Sequence, residues 1–148
     1  MDLVSHPVVI VSLLTLVIAS ACVLLHYEGL SILSEQLPRL GLPRRPRVLL
    51  LIFAILFLHS VEIFLFGLGY FWLLQDTIYG TLQGPAPLDL IDCGYYSAVV
   101  FTTLGLGDII PHGAVRVLTG PESLTGFVLI TWSASFTFLE MQRFWKPA

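Results

Sequence analysis

Residues 8–25 carry no formal charge, and residues 48–74 contain only His59, Ser60 and Glu62 as strongly polar members. A helix needs about 20 apolar residues to cross a hydrocarbon core of about 30 Å. The first run is therefore about the minimum, while the second, about 40 Å long as a helix, has to tilt or project. A third apolar run, residues 123–139, is preceded by Arg116 and Glu122 and followed by Glu140, Arg143, Phe144, Trp145 and Lys146. Lipid offers backbone N–H and C=O groups no partner, so runs of this length must be helices. The expected class is an all-α membrane protein with three transmembrane helices. The composition agrees: 56% hydrophobic and 11% charged residues, with a mean hydropathy of +0.88, are not the values of a water-soluble domain. A net charge of -3 without a basic face leaves no nucleic-acid footprint. No nucleic acid is expected as a partner, and membrane lipid is.

The interruption at residues 26–47 holds Glu28, Glu35, Pro38, Pro43 and Pro46 with Arg39, Arg44, Arg45 and Arg47. Proline at that density opposes a continuous helix, and arginines beside a span mark the cytoplasmic side. Residues 1–47 are thus expected to be an N-terminal transmembrane helix followed by a cytoplasmic Pro/Arg loop. With that loop and the tail inside, six of the seven Lys and Arg are cytoplasmic, the N-terminus is outside and the C-terminus is cytoplasmic. The expected location is a cell membrane, of the bacterial inner-membrane type, crossed several times. The first span has none of the regularly spaced arginines of a voltage sensor. Cys22 and Cys93 lie far apart in apolar segments and read as small buried hydrophobes.

Between the second and third spans the pattern changes. Residues 75–87, with Gly80, Gly84, Pro85 and Pro87, predict an exposed loop. The apolar segment that follows, from Leu88 to Phe101, can be capped by Asp89 or Asp92 but is too short to cross a bilayer. It predicts a re-entrant helix. It ends in Thr102-Thr103-Leu104-Gly105-Leu106-Gly107-Asp108, where alternating glycines permit backbone conformations closed to other residues and oppose further helix. Non-helical backbone at membrane depth is tolerated where protein buries it or where it lines a watery cavity.

That stretch, with Tyr95-Tyr96-Ser97 before it and Pro111 after it, resembles the selectivity filter of the potassium channels, written Thr-Val-Gly-Tyr-Gly-Asp, with Leu104 for the Val and Leu106 for the Tyr. The resemblance implies a pore domain over residues 48–148: outer helix 48–74, turret 75–87, pore helix 88–102, filter 103–108 and inner helix 120–142. It implies a passive, potassium-selective channel in which Thr103, Leu104, Gly105, Leu106 and Gly107 form the ion path. K+ ions would be held at Thr103, Leu104, Gly105 and Leu106, where oxygens replace the hydration shell. One chain supplies one strand of such a hole, so three identical subunits complete a homotetramer with cyclic symmetry. No cofactor is implied besides the permeant ions.

Thr102, Asp108, Tyr95, Tyr96 and Val99 are the residues expected to support the filter. Leu106 cannot give the hydrogen bond that the family's filter tyrosine gives to a pore-helix aromatic, so Tyr96 needs another partner or faces the subunit interface. Leucine at this position also resembles the second filter of animal two-pore-domain potassium channels. Val99 stands where some bacterial channels have a glutamate behind the filter, which leaves Asp108 to Tyr95, to water or to a neighbour. A nonselective cation channel is the nearest alternative function, and a non-conducting membrane subunit that retains the pore fold is another. An enzyme is not expected, because no nucleophile, base and orienting group occur at a workable spacing.

His59 and Glu62, three apart on one helical face near the middle of the second span, are a gating or structural pair. A charge at that depth costs about 2.5 kcal/mol or more. Either the pair senses pH or couples the outer helix to the pore, or it is a hydrogen-bonded tie from the outer helix to the first or the inner helix. A zinc site needs at least one more ligand, and His6, His26 and His112, at the ends of spans, are not expected close by.

Overall fold

The structure, a computed structural model, describes residues 5–84 and 88–145. Pro85 and Pro87 of the expected exposed loop and Lys146 of the tail lie outside the described residues. The elements are α1 (Ser5–Arg39), α2 (Arg44–Leu73), β1 (Thr81–Gln83), α3 (Leu90–Phe101), β2 (Ile110–His112) and α4 (Arg116–Trp145), with single 3-10 turns at Thr77–Tyr79 and Gly113–Val115. Three helices are long and apolar enough to cross a membrane, His6–Arg39, Arg45–Leu73 and Gly113–Arg143. The fold is that of an all-α membrane protein with one additional short helix.

The first helix departs from expectation. It does not stop near Leu25 but continues through His26 to Arg39, and the Pro/Arg loop shrinks to residues 40–43. The prolines explain the difference. Pro38 lies in the last turn of α1, and Pro46 lies in the first turn of α2, where its missing N–H has no intrahelical partner to lose. Between them and residue 25, Leu30 and Leu37 extend the inward stripe of Val11, Thr15, Cys22 and His26. Glu28 and Glu35 fall on the exposed side. The outward face carries Val9, Leu13, Leu16, Val17 and Leu24, as a lipid-facing helix should.

The three long helices alternate in direction. Leu30 and Leu37 of α1 pack with Leu51 and Ile55 near the start of α2, with Phe136 of α4 against them. Val11, near the start of α1, shares a cluster with Leu73 at the end of α2 and Leu118 near the start of α4. Helices α1 and α4 therefore run the same way and α2 runs back. Both cysteines are free and buried, Cys22 and Cys93 alike.

Helix α3 is started by a reciprocal cap: Asp89 accepts from the amides of Ile91 and Asp92 at 2.8 and 2.9 Å, and Asp92 accepts from the Asp89 amide at 2.9 Å. It is wedged between α2 and α4 at two close approaches. A Cβ on Gly67 would lie 3.1 Å from the Gly94 Cα, and one on Gly126 would lie 2.0 Å from the Phe101 carbonyl oxygen. Part of the loop after α2 is not free. Strand β1 pairs antiparallel with β2, Thr81 opposite His112, Leu82 opposite Pro111 and Gln83 opposite Ile110. This ties the segment before α3 to the segment after residues 102–108. Gly80, at φ +115, permits the crossing, since a Cβ there would lie 2.0 Å from the His112 carbonyl oxygen. Helix α4 starts earlier than expected, at Arg116 rather than at residue 120.

Replacing Gly126 by Ala should force α4 and α3 apart, with an overpacking cost of about 1–3 kcal/mol. Gly120, on the same helix with nothing within 4 Å of its Cβ position, is the control. Thermal melting in detergent should show a lower midpoint for Gly126→Ala and none for Gly120→Ala. Equal midpoints would show that α4 does not depend on the contact.

Candidate functional site

The backbone that leaves α3 closes the helix and passes in a few residues into an irregular strand, 103–107, that is neither helix nor sheet in the single chain. The Leu104 amide bonds to the Val99 carbonyl at 3.0 Å and the Thr103 amide to the Val100 carbonyl at 2.9 Å, with the Gly105 amide 3.3 Å from Val99 O. These are the crossed bonds of a helix end whose next residue is left-handed. That residue is Thr103, the only non-glycine at positive φ (60°) among the described residues. Threonine there costs about 1–2 kcal/mol against its Cβ, which glycine would not. The Thr102 hydroxyl donates to the Ala98 carbonyl at 2.6 Å, so it serves the helix end.

Positive φ then recurs at Gly105 (59°) and Gly107 (77°), with Leu104 and Leu106 between them not in that region. A Cβ on either glycine would meet nothing within 4 Å in the chain. Glycine is needed for its φ and not for space. In an ordinary strand successive carbonyls point to opposite sides; when φ changes sign at each residue, successive peptide planes can turn their carbonyls to one side. Residues 102–108 are all exposed in the single chain, Leu104 and Leu106 at 63% and 57%.

The residues expected around this strand have distinct roles. Tyr95 donates its hydroxyl to Asp108 Oδ2 at 2.7 Å, anchoring the far end of the strand to α3. That bond holds the phenol above its usual range. A raised tyrosine value keeps the protonated, donating form, so the bond's contribution is complete below about pH 10 and fades only as pH rises through the shifted value. Tyr96 meets Tyr70 edge-on at 4.9 Å and pairs its hydroxyl with Thr119 Oγ1 at 3.1 Å. Val99 acts through its carbonyl.

Sequence reasoning missed Glu122. It is fully buried, accepts from the Tyr70 hydroxyl of α2 and is hydrogen-bonded to the Ser97 hydroxyl of α3. Ser97 Oγ also lies 2.8 Å from the Ile63 carbonyl. One hydroxyl proton cannot serve both acceptors, and a protonated Glu122 carboxyl would supply the second donor. A carboxyl behind α3 is thus present, contributed by α4 and not by position 99. The signal was available: Leu118, Glu122, Leu129 and Ser133 are spaced four or seven apart along one buried stripe.

His26 corrects the expectation that no other histidine lies near His59 and Glu62. Its Nδ1 is 2.8 Å from Glu62 Oε1, His59 Nδ1 is 2.8 Å from Glu62 Oε2, and His26 Nε2 is 3.2 Å from Ser133 Oγ on α4. The pair is therefore a three-helix cluster. His112 lies elsewhere, against Gln83 at 3.1 Å, and His6 is exposed near the start of α1.

A family model described as an ion channel matches residues 48–143. No curated protein and no solved structure gives a significant match to the chain.

Replacing Glu122 by Ala removes the main acceptor of the Tyr70 hydroxyl and leaves Ser97 the Ile63 carbonyl alone, an expected loss of about 1–3 kcal/mol in all, whereas Gln keeps one donor and one acceptor in place. Thermal melting should show a large loss for Glu122→Ala and a small one for Glu122→Gln. Equal losses would mean that the junction does not rest on these hydrogen bonds.

Proposed function

The chain belongs to the ion-channel family, and we propose that it conducts K+ passively through a fourfold pore lined by Thr103, Leu104, Gly105, Leu106 and Gly107. The observation that carries this reading is the recurrence of left-handed backbone at Thr103, Gly105 and Gly107, directly after the C-terminal end of a helix too short to cross the membrane. A K+ ion gives up water only where oxygens replace its shell at nearly equal energy, and a strand with its carbonyls on one side supplies a column of them. The negative end of the α3 dipole adds a favourable field for a cation at the start of the strand.

A single chain supplies a single strand, so the proposed working unit is a homotetramer in which exposed Leu104 and Leu106 are covered by neighbouring subunits. Arg39, Arg44, Arg45 and Arg47 lie at the α1–α2 turn, and Arg143 lies in the last turn of α4. Since α1 and α4 run together, these cations gather at one end, which the positive-inside rule assigns to the cytoplasm of a cell membrane. The N-terminus and the mouth of the pore are then outside. Tyr95 pins Asp108 at that mouth, and the β1–β2 pair braces the chain that leaves it.

A nonselective cation channel is the competing reading. It is favoured by the bonding of Tyr96 to Thr119 in place of residue 106, which leaves the middle of the strand without a side-chain hydrogen bond to α3. Purified protein in liposomes under bi-ionic conditions separates them. The expected outcome is a reversal potential showing at least about tenfold preference for K+ over Na+, with block by barium; tenfold corresponds to about 1.4 kcal/mol. A reversal potential near zero would establish the nonselective channel. Assembled tetramers without flux would leave a non-conducting subunit.

A further inference from the structure

Among the described residues, His26, His59 and Glu62 are the one group of metal-ligating side chains that converge: each can offer one ligand atom, and these atoms lie within 4.8 Å of one another. We propose that they form a binding site for a divalent cation of the zinc type, held where α1, α2 and α4 meet. The donor set is two imidazole nitrogens and one carboxylate oxygen. That set suits zinc and its first-row neighbours, whereas Mg2+ and Ca2+ prefer oxygen throughout. Ligand atoms around a tetrahedral zinc stand about 2.0–2.2 Å from the metal. Such ligand atoms stand about 3.3–3.5 Å from one another, so the 2.8 Å contacts of Glu62 with the two imidazoles open by a few tenths of an ångström and the widest separation, up to 4.8 Å, closes around the ion.

Three features of the surroundings support a site over a mere tie. Glu62 is fully buried, and among the described residues the two imidazoles are the ion-pair partners of its carboxylate. A bound cation would give a buried carboxylate the opposite charge that burial favours. The Ser133 hydroxyl stands 3.2 Å from the other nitrogen of His26. Without metal, each Nδ1–H donates to Glu62 and Ser133 donates to His26 Nε2. With metal on Nδ1, each neutral imidazole carries its proton on Nε2, and that of His26 is donated to Ser133 Oγ. An outer partner of this kind fixes tautomer and ring orientation. Finally, His59 lines a cleft of about 440 Å³ between α2 and α4, with Ser133, Ile130 and Thr137 on its wall. That cleft is an entry path, with room for a water in the fourth coordination position. The bound metal ties α1 to α2 directly and to α4 through Ser133.

The test uses the full chain, free of any affinity tag, with His6 and His112 replaced by Ala to remove other imidazoles, stripped by chelator and titrated with ZnCl2. The expected result is one zinc per chain by calorimetry and elemental analysis, not displaced by excess MgCl2, with visible d–d bands of low coordination number when CoCl2 is used instead. His59→Gln and Glu62→Gln should each weaken zinc binding by at least tenfold, and Ser133→Ala by about tenfold. Circular dichroism and melting of the metal-free variants verify folding; if Glu62→Gln does not assemble, His59→Gln, at the partly exposed edge, decides. Absence of uptake, or uptake unchanged in His59→Gln, would overturn the proposal. Neither result depends on whether the chain conducts.

Discussion

Everything near the strand depends on how the carbonyl end of α3 is closed. A helix end leaves its last carbonyls without intrahelical partners. Here the amides of Thr103, Leu104 and Gly105 turn back onto Val99 and Val100, which satisfies the helix end and sets the direction of the strand together. The left-handed conformation of Thr103 is a consequence of that closure. It is strained, and it brings the Thr103 hydroxyl to the start of the strand, where glycine would bring nothing. Such an outlier persists where its surroundings over-determine it.

The surroundings do so by contact and by hydrogen bonds. Gly67 against Gly94 and Gly126 against Phe101 seat α3 at distances no larger residue allows without displacement. Ser97 and Tyr70 reach Glu122 from the other two helices. A polar junction of this kind stabilises only when each member is satisfied, and its geometric demands then orient α3 more sharply than apolar packing alone. The far end is held separately, by Tyr95 on Asp108 and by β1 against β2. The strand is thus supported at its two ends, while Leu104 and Leu106 face outward in the single chain.

Helix α4 links the two polar clusters. Glu122, Gly126 and Ser133 lie along one face, so the helix that backs α3 also carries the hydroxyl that orients His26. A displacement of α4 large enough to alter one cluster strains the other. Helix α1, which the family match does not include, enters this linkage through His26.

Much of this was written in the chain itself. The long apolar runs, the short apolar segment and the glycines at 105 and 107 require three spans, one helix that cannot cross and an irregular strand after it, because lipid imposes the same backbone accounting on any sequence. The aspartates before α3 announced its cap. The extent of α1 was less legible: whether a proline breaks a helix depends on its position within the turn, and residues 26–37 needed Leu51 and Ile55 to bury their inward face. Glu122 and His26 were legible as types but not as partners. Each lies near the end of an apolar run, where a polar residue ordinarily faces water, and only tertiary packing turned them inward: α2 and α3 against α4 for Glu122, and α1, α2 and α4 together for His26. Local pattern determined the helices and the strand, because those depend on periodicity and φ. Tertiary structure decided which carboxyls are buried and what they hold, because that depends on helices far apart in the chain meeting at one level.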